Sequence, residues 1–263
     1  MVIGLSLPLA FSVTTAHSDE LLEKPTIVWV RHDFPPLTFL QGPNKGQGIS
    51  DKALAELFTR MPQYNHKPII AEMKRGFRFL KNNTNYCMAN LRKTKERLKV
   101  SWMTGPLTTV SKMGLVLKTK NLFKFKKHLD SRTNEVDLMS LALDKEILGA
   151  KTKDRSYAPE VNEAWPPENK YKNLYLAPKT KHLFNLLHNN RVDYVFSFDF
   201  EMTRHFKEEN ETDSFIILDH ISDDSPLLIQ GYIACSKTAE GKKLSKILTL
   251  PVGKTASLYS NVI

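Results

Sequence analysis

Short apolar runs alternate along this chain with longer segments in which apolar residues recur at helical spacing. The apolar runs include residues 26–30, 86–89, 113–117, 194–196 and 231–235. One of the helical segments between them carries Ala53, Leu54 and Leu57 on one side. Another helix is predicted to open near residues 151–156 and to run toward Trp165. The connections are short, and parallel strands need a crossover that is usually helical. This alternation predicts an α/β fold with largely parallel sheets.

Length and composition agree with a globular protein. The chain has 263 residues, enough for one large or two medium domains, with 41% hydrophobic and 25% charged residues. The net charge of +10 suggests anionic partners, although no long block of like charges marks a nucleic-acid tail. The aromatic residues fall in runs predicted to be buried rather than interleaved with lysines, so nucleic-acid binding is not predicted.

The first residues read as an export signal. Residues 1–18 hold an uncharged apolar stretch followed by the small residues Ala16 and Ser18, which is typical of a secretory signal peptide with cleavage near residue 16 or 18. No Lys or Arg precedes the apolar stretch, and a packed N-terminal helix is the alternative. No later segment reaches membrane-spanning length. A soluble mature protein in a bacterial periplasm is therefore expected.

A cation is predicted at the end of one buried strand. The apolar run at residues 86–89 stops at Asn90, and Thr94 can then cap a single helical turn that carries Arg97. In open α/β sheets, ligands bind at the carboxyl ends of strands, where helix starts leave backbone N–H groups free. This placement suggests that Arg97 contacts a ligand. The alternative is a solvated arginine in a basic surface turn.

Several short motifs occur along the chain in a characteristic order. They are residues 33–39, Gly48, the pattern Asn90-x-x-x-Thr94-x-x-Arg97 with Ser101 and Pro106, residues 190–195 and residues 231–234. In order and spacing they resemble the amino-acid-type extracellular solute-binding proteins of bacteria, which have the type II periplasmic binding protein fold. Gly48, the Pro62-x-Tyr64-x-His66 run and the Arg155-Ser156-Tyr157 triplet place the likeness closest to an uncharacterised branch.

The resemblance implies two lobes, each a mostly parallel sheet flanked by helices, joined by two hinge crossovers. Lobe one would comprise residues 19–110 and 230–263, and lobe two residues 111–229. A ligand would lie in the cleft and draw the lobes together, as periplasmic binding proteins are known to do. The implied protein is a monomer that presents a small solute to a membrane permease for ABC-type uptake, with no cofactor, no metal and no catalytic residue.

The resemblance also assigns roles within the cleft and exposes departures from them. The residue matching Arg97 clamps the ligand carboxylate, and the aromatic matching Phe34 covers the ligand. Where relatives have Gly-x-Ser/Thr, this chain has Asn90-Leu91-Arg92, which replaces a hydroxyl contact with a second cation. Where relatives have the aspartate that pairs the ligand ammonium, this chain has Phe198, followed by Asp199, which could instead cap a helix. Recognition of an α-amino acid is therefore in doubt.

Further cations are predicted at strand ends facing the cleft. Arg31, Lys151 and Arg155 would join Arg92 and Arg97, and such a cluster needs an anion to neutralise it. An anionic ligand with at least two negative groups is the resulting hypothesis; the alternative pairs Arg31 with Asp33 and Arg155 with Asp154 at the rim. The predicted ligand-binding residues are Arg97, Arg92, Asn90, Phe34, Arg31, Lys151, Arg155, Ser156 and Asp199.

Two points stay open on the residues alone. Cys87 and Cys235 are the two cysteines, and their number does not distinguish a disulfide from two buried thiols. The resemblance places their strands side by side, close enough for a bridge if both side chains share a face. The same fold also hosts dehydratases, for which Asp199, Glu72 and His32 are the acid or base candidates, and ligand-sensing modules of membrane receptors.

Overall fold

The computed structural model of the chain describes residues 23–153, 155–166, 172–208, 214–220 and 228–249. The predicted signal peptide at residues 1–18, Asp154 and the predicted end of lobe one at residues 250–263 lie outside the described residues. No helix within the described ranges is long and apolar enough to cross a membrane.

Strands and helices alternate as the apolar pattern predicts. The strands are β1 (Thr26–Arg31), β2 (Asn65–Ile70), β3 (Tyr86–Leu91), β4 (Ser101–Ser111), β5 (Met113–Lys118), β6 (Gly149–Thr152), β7 (Leu174–Ala177), β8 (Tyr194–Phe198), β9 (Phe215–Leu218) and β10 (Leu228–Ser236). The helices are α1 (Ile49–Thr59), α2 (Met73–Asn82), α3 (Lys95–Val100), α4 (Leu122–Phe125), α5 (Leu138–Leu143), α6 (Pro159–Ala164), α7 (Thr180–His188), α8 (Asp199–Glu208) and α9 (Ala239–Ile247).

The strands form two five-stranded sheets, which define two lobes. Lobe one has the order β2-β1-β3-β10-β4, and lobe two has the order β7-β6-β8-β5-β9. In lobe one, β1 runs parallel to β2 and β3 while β10 runs antiparallel to β3 and β4. In lobe two, β6 runs parallel to β7 and β8 while β5 runs antiparallel to β8 and β9. Each sheet is therefore mixed, with a single strand opposed to the others.

Each sheet is covered on both faces. Successive side chains of a strand point to opposite sides of the sheet, and both sides are packed. In β1, Trp29 packs in the cluster that contains Leu54 of α1, whereas Val30 packs in the cluster that contains Leu80 of α2. In β5 of lobe two, Leu115 and Val116 divide between two clusters in the same way. Near-continuous apolar strands are what such double coverage requires.

A disulfide joins two strands of lobe one. Cys235 of β10 lies opposite Cys87 of β3 in the antiparallel pairing, and the two sulfur atoms are bonded. Both residues are fully buried, in the cluster that also contains Trp29. The disulfide that the resemblance allowed is therefore present, and it ties β10, the strand that returns from lobe two, into the centre of the first sheet.

Two crossovers connect the lobes. The first passes through Lys112, between β4 and β5; the second leads from β9 to β10, and its residues 219–220 are among those described. The Lys112 ammonium lies 3.4 Å from a carboxylate oxygen of Asp219 and 3.5 Å from one of Glu135. An ion pair thus links the first crossover to the start of the second.

Two elements differ from the sequence-based expectation. A helix was expected to open near residues 151–156, but β6 runs to Thr152 and α6 begins only at Pro159. Proline keeps the preceding residue, Ala158, out of the helical region and itself suits the first helical position. No strand was predicted over residues 101–111, which form β4 and include Gly105 and Pro106, two residue types disfavoured in a strand interior. β4 is an edge strand, where a proline is tolerated.

Candidate functional site

A cavity of about 220 Å³ lies between the lobes, where strand ends and crossovers meet. Its volume is somewhat below the several hundred Å³ of typical drug-sized ligand sites, which suits a small solute. Lobe one contributes residues including His32, Phe34, Glu72, Met73, Asn90, Arg92 and Arg97. The strands next to the crossovers contribute Thr108, Val110, Met113, Ile229, Gln230 and Gly231. Lobe two contributes residues including Thr152, Lys153, Arg155, Ser156, Thr180 and Phe198.

Arg97 is held in place by its own turn. Its backbone N–H donates to the Thr94 hydroxyl at 3.3 Å, which caps α3, and its guanidinium donates to the Arg92 carbonyl at 2.8 Å. The guanidinium also stacks over Phe77, 5.1 Å from the ring centroid. Burial, and after it the charge of Arg92, lowers the pKa of Arg97 to about 10. Arg97 is therefore an oriented, partly desolvated cation facing the cavity.

Asn90 and Arg92 flank the end of β3. Asn90 has φ of 63°, a left-handed conformation that asparagine tolerates better than most residues. Its side-chain amide donates to Thr38 at 3.1 Å, and its amide oxygen accepts from the Ser50 hydroxyl at 2.5 Å. Burial lowers the pKa of Arg92, and Glu160 in lobe two partly offsets this effect. Among the described residues, no ion pair within 4.0 Å involves Arg92 or Arg97.

Arg155 is neutralised within lobe two. Its guanidinium donates to both carboxylate oxygens of Glu201, at 2.9 and 2.6 Å, and to Thr180 at 3.3 Å. Glu201 also accepts from the Ser197 hydroxyl at 2.8 Å and from the Phe198 backbone N–H at 3.2 Å. Burial acts to lower the pKa of Arg155, but the Glu201 carboxylate more than offsets it, so the pKa lies above its usual value.

Phe34 of lobe one contacts two aromatic rings of lobe two. Its ring centroid lies 6.3 Å from that of Phe198 and 6.5 Å from that of Phe200. The Arg155 guanidinium carbon lies 4.9 Å from the Phe34 centroid and 5.5 Å from the Phe198 centroid, so the cation contacts both rings. His32 stacks on Phe34 at 5.9 Å. The lobes therefore meet through an aromatic and cationic stack at the cavity wall.

The His32 imidazole lines the cavity and has a lowered pKa. Burial comes first, and the positive charges of Arg155, Arg97 and Arg31 follow; together they lower the pKa of His32 to about 4. The imidazole is consequently neutral at physiological pH. The cleft disfavours an added proton at this point, as expected where several cations converge.

A second, wider cavity of about 780 Å³ adjoins the first and shares His32, Phe34, Glu72 and Thr180 with it. Two contacts cross between the lobes among its lining residues and their neighbours. The Lys179 ammonium lies 3.9 Å from a Glu72 carboxylate oxygen, and the Arg204 guanidinium lies 4.6 Å from the Phe39 ring centroid. Both ends of the Glu72–Lys179 pair are well exposed, so the pair contributes little.

The nine predicted ligand-binding residues divide into two groups. Arg97, Arg92, Asn90, Phe34, Arg155 and Ser156 line the first cavity, whereas Arg31, Lys151 and Asp199 do not. Arg31 pairs with Asp51 instead of facing the cleft. The Lys151 ammonium lies over the Tyr157 ring at 5.3 Å. Asp199 opens α8, where its carboxylate accepts from Thr203 at 3.5 Å.

The rim pairing considered for two arginines also has different partners. Arg31 pairs with Asp51, and Arg155 with Glu201. Asp33 instead accepts the Leu40 backbone N–H at 2.9 Å. Asp51 and Glu201 were not foreseen as partners, although both stand in the first turn of a helix, where acids are favoured. The lining from β4 was also missed, because that strand itself was not predicted.

No group of three or more His, Cys, Asp or Glu side chains in the described ranges is placed to hold a metal ion. The arrangement is suited to non-covalent binding of a solute. The partly buried guanidinium groups of Arg92 and Arg97 line the cavity together with aromatic, aliphatic and other polar side chains.

No protein-family model matches the sequence, and no curated protein matches it either. Solved structures do match. Holo ArgBP from T. maritima is 18% identical with a TM-score of 0.60, over 91% of this chain and 92% of that one. The VFT2 domain of BvgS from Bordetella pertussis is 15% identical with a TM-score of 0.62, over 90% and 93%. The substrate-binding protein of an amino acid ABC transporter is 15% identical with a TM-score of 0.60, over 85% and 91%. This chain therefore has the two-lobe, type II periplasmic-binding-protein-like fold.

Proposed function

We propose that this chain is a non-catalytic, exported solute-binding protein that captures a small anionic, carboxylate-containing solute between its lobes. One observation carries the proposal: the guanidinium groups of Arg97 and Arg92 face the interlobe cavity, and neither has a carboxylate partner among the described residues. Two such cations repel each other and have lost part of their hydration. A bound carboxylate would relieve both costs.

The contacts around Arg97 suit a carboxylate ligand. A planar guanidinium can hold a carboxylate by two parallel hydrogen bonds. The Thr94 cap and the Arg92 carbonyl already fix the orientation of Arg97, so little ordering remains to be done on binding. A solute held there would also touch Phe34 and Phe198, which belong to different lobes. Binding would thereby stabilise the closed arrangement of the lobes.

Replacing Arg97 by lysine tests the clamp, because the charge is kept and the bidentate geometry is lost. The co-purified solute is identified by native mass spectrometry and then titrated by calorimetry. Loss of a charge-assisted pair costs about 1.5–3 kcal/mol, so we expect R97K to weaken binding roughly 10- to 100-fold. R78K, at an exposed arginine of α2, serves as the matched control and should bind like the wild type. Equal affinity in R97K and the wild type would contradict the assigned role.

Delivery to a membrane permease for ABC-type uptake is the proposed use of the bound solute. The likeness to the binding protein of an amino acid ABC transporter supports it. A second candidate is a ligand-sensing role, which the likeness to the BvgS VFT2 domain and to a histidine kinase sensor domain favours. Cells lacking this protein should lose uptake of the bound solute if it serves transport. Normal uptake with an altered transcriptional response to the solute would instead support sensing.

The periplasm is the proposed location. N-terminal sequencing of the protein from a periplasmic extract tests it, with a mature chain expected to begin near residue 17 or 19. Recovery of the chain in the cytosolic fraction with residue 1 retained would contradict export.

A further inference from the structure

The carboxylates that line the two adjoining cavities belong to Asp33, Glu72 and Glu201. Glu201 accepts both hydrogen bonds of Arg155. Glu72 faces Lys179, and Asp33 accepts the Leu40 N–H from an exposed position. An ammonium group entering the cavity would find Glu201 already paired with Arg155, whereas a pair with the exposed Glu72 or Asp33 would contribute little. Buried ammonium groups without an anionic partner are costly, because burial removes their hydration.

The field in the cavity also opposes a cationic group. Arg92 and Arg97 face the space without carboxylate partners in the described ranges, and Lys74 and Lys153 also line it. His32 of lobe one also lines the cavity, and burial first, then the charges of Arg155, Arg97 and Arg31, lower its pKa to about 4. A group that brings a new positive charge into the cavity would be repelled by Arg92 and Arg97.

Phe198 ends β8, at the position where the resemblance places the aspartate that pairs a ligand ammonium. The Phe198 side chain lines the cavity and contacts Phe34 and the Arg155 guanidinium. Its backbone N–H donates a hydrogen bond to the Glu201 carboxylate. Met73, Val110 and Ile229 add apolar surface to the same cavity. Apolar walls stabilise an apolar solute body in proportion to the apolar area that they remove from water.

We propose that the solute is a carboxylate that carries no ammonium group and has an uncharged, partly apolar body. Its carboxylate would bind between Arg97 and Arg92, and its body would lie against Phe34 and Phe198. This inference rests on the proposed function of the same cavity and narrows it. The arginine-bound neighbours bind a solute with an ammonium group, so the two specificities would differ within one fold.

Matched pairs of acids that differ by the amino group test this directly. Protein freed of bound solute by exhaustive dialysis is titrated by calorimetry with 3-phenylpropanoate against phenylalanine, 4-methylpentanoate against leucine, and pentanedioate against glutamate. We expect the member without the ammonium group to bind at least ten-fold tighter in the pairs that bind. An amino acid that binds as tightly as its partner, or more tightly, would overturn the inference and leave the solute-binding function standing. A natively co-purified solute without a carboxylate, with no binding by any of the six acids, would overturn the proposed function itself.

A variant that adds an anion provides a second readout. F198D places a carboxylate at the end of β8, and F198L keeps the position apolar as its matched control. F198D should shift the preference toward the amino acid of each pair by at least ten-fold, and F198L should not. Because Phe198 packs in a core cluster, Q230E offers the same test from β10 at an exposed position in the cavity wall. An unchanged preference in well-folded Q230E and F198D would count against the inference.

Discussion

Asp51 and Glu201 make equivalent contacts in the two lobes. Asp51, in the first turn of α1, accepts the backbone N–H groups of Gly48 at 3.0 Å and Phe39 at 2.9 Å and pairs with Arg31. Glu201, in the first turn of α8, has the corresponding set described above, with Arg155 as its cation. Each carboxylate residue is only 5% exposed. In both lobes an acid in the first turn of a helix thus holds an arginine by an ion pair.

The first prediction concerns the buried pair in lobe two. E201Q keeps the shape of the side chain but leaves the buried Arg155 charge without its partner. We expect the free energy of unfolding to fall by about 3–5 kcal/mol, measured by urea denaturation. E56Q removes the carboxylate of the more exposed pair with Arg60 on α1 and should cost less than about 1 kcal/mol. Similar losses in the two variants would show that the Arg155–Glu201 pair adds no more than a surface pair.

At the scale of elements, β10 is the strand on which lobe one depends. It lies between β3 and β4 in the sheet, and it is the strand that the second crossover leads into. Cys235 fixes it to β3 through the disulfide with Cys87, and the two cysteines are 148 residues apart in sequence. The whole of lobe two lies within the loop that this bond closes.

The second prediction follows from the length of that loop. Closing a loop of 148 residues removes conformational freedom from the unfolded chain, so replacing both cysteines by alanine should lower the free energy of unfolding by about 2–5 kcal/mol. Urea denaturation with and without reductant measures the effect. The wild type should lose stability when reduced, and the double variant should not respond. A double variant as stable as the oxidised wild type would contradict the prediction.

The elements were predictable where their signals are local. Thr94 caps the turn that carries Arg97, as the sequence indicates, and β1, β5 and β8 coincide with contiguous apolar runs. Strand β4 was not predicted. Pro106 is compatible with a strand only at the edge of a sheet, and the order of the strands cannot be read from the sequence. The start of α6 was placed too early, because the helical signal before Pro159 was given too much weight.

In the whole molecule, the lobes are joined by contacts at both ends of the cleft. At the cleft, Phe34 reaches Phe198 and the Arg155 guanidinium. At the crossovers, Lys112 pairs with Asp219. The interlobe contacts at the cleft therefore combine an aromatic pair with a guanidinium group.

The third prediction is a pH dependence that His32 imposes. Its pKa is about 4 in the folded protein, below the usual histidine value of 6.5 that applies when the chain is unfolded. Between these two values the unfolded chain binds a proton that the folded protein does not. Stability from this residue is therefore fully present above about pH 6.5 and falls as the pH drops toward 4, by roughly 3 kcal/mol in total.

Thermal or urea unfolding between about pH 4 and about pH 7 measures this term as the difference between the wild type and H32Q. The wild type should lose more stability than H32Q on acidification over that range. H182Q, at a histidine of α7 in lobe two, is the control and should follow the wild-type curve. Parallel curves for the wild type and H32Q would show that His32 takes up its proton equally well in the folded protein.

Local signals were enough for the α/β class, for the order of motifs that resembles the two-lobe binding proteins, and for the capped turn that presents Arg97. Apolar runs, caps and prolines act on neighbouring residues, so a sequence records them directly. The charge balance of the cleft depended on folding. Arg31 and Asp51 are 20 residues apart and Arg155 and Glu201 are 46 apart, and which cations are neutralised follows from which strand ends and helix starts the sheets bring together. In the described fold no carboxylate comes within ion-pair distance of Arg97 or Arg92, and this absence also follows from which strand ends and helix starts meet.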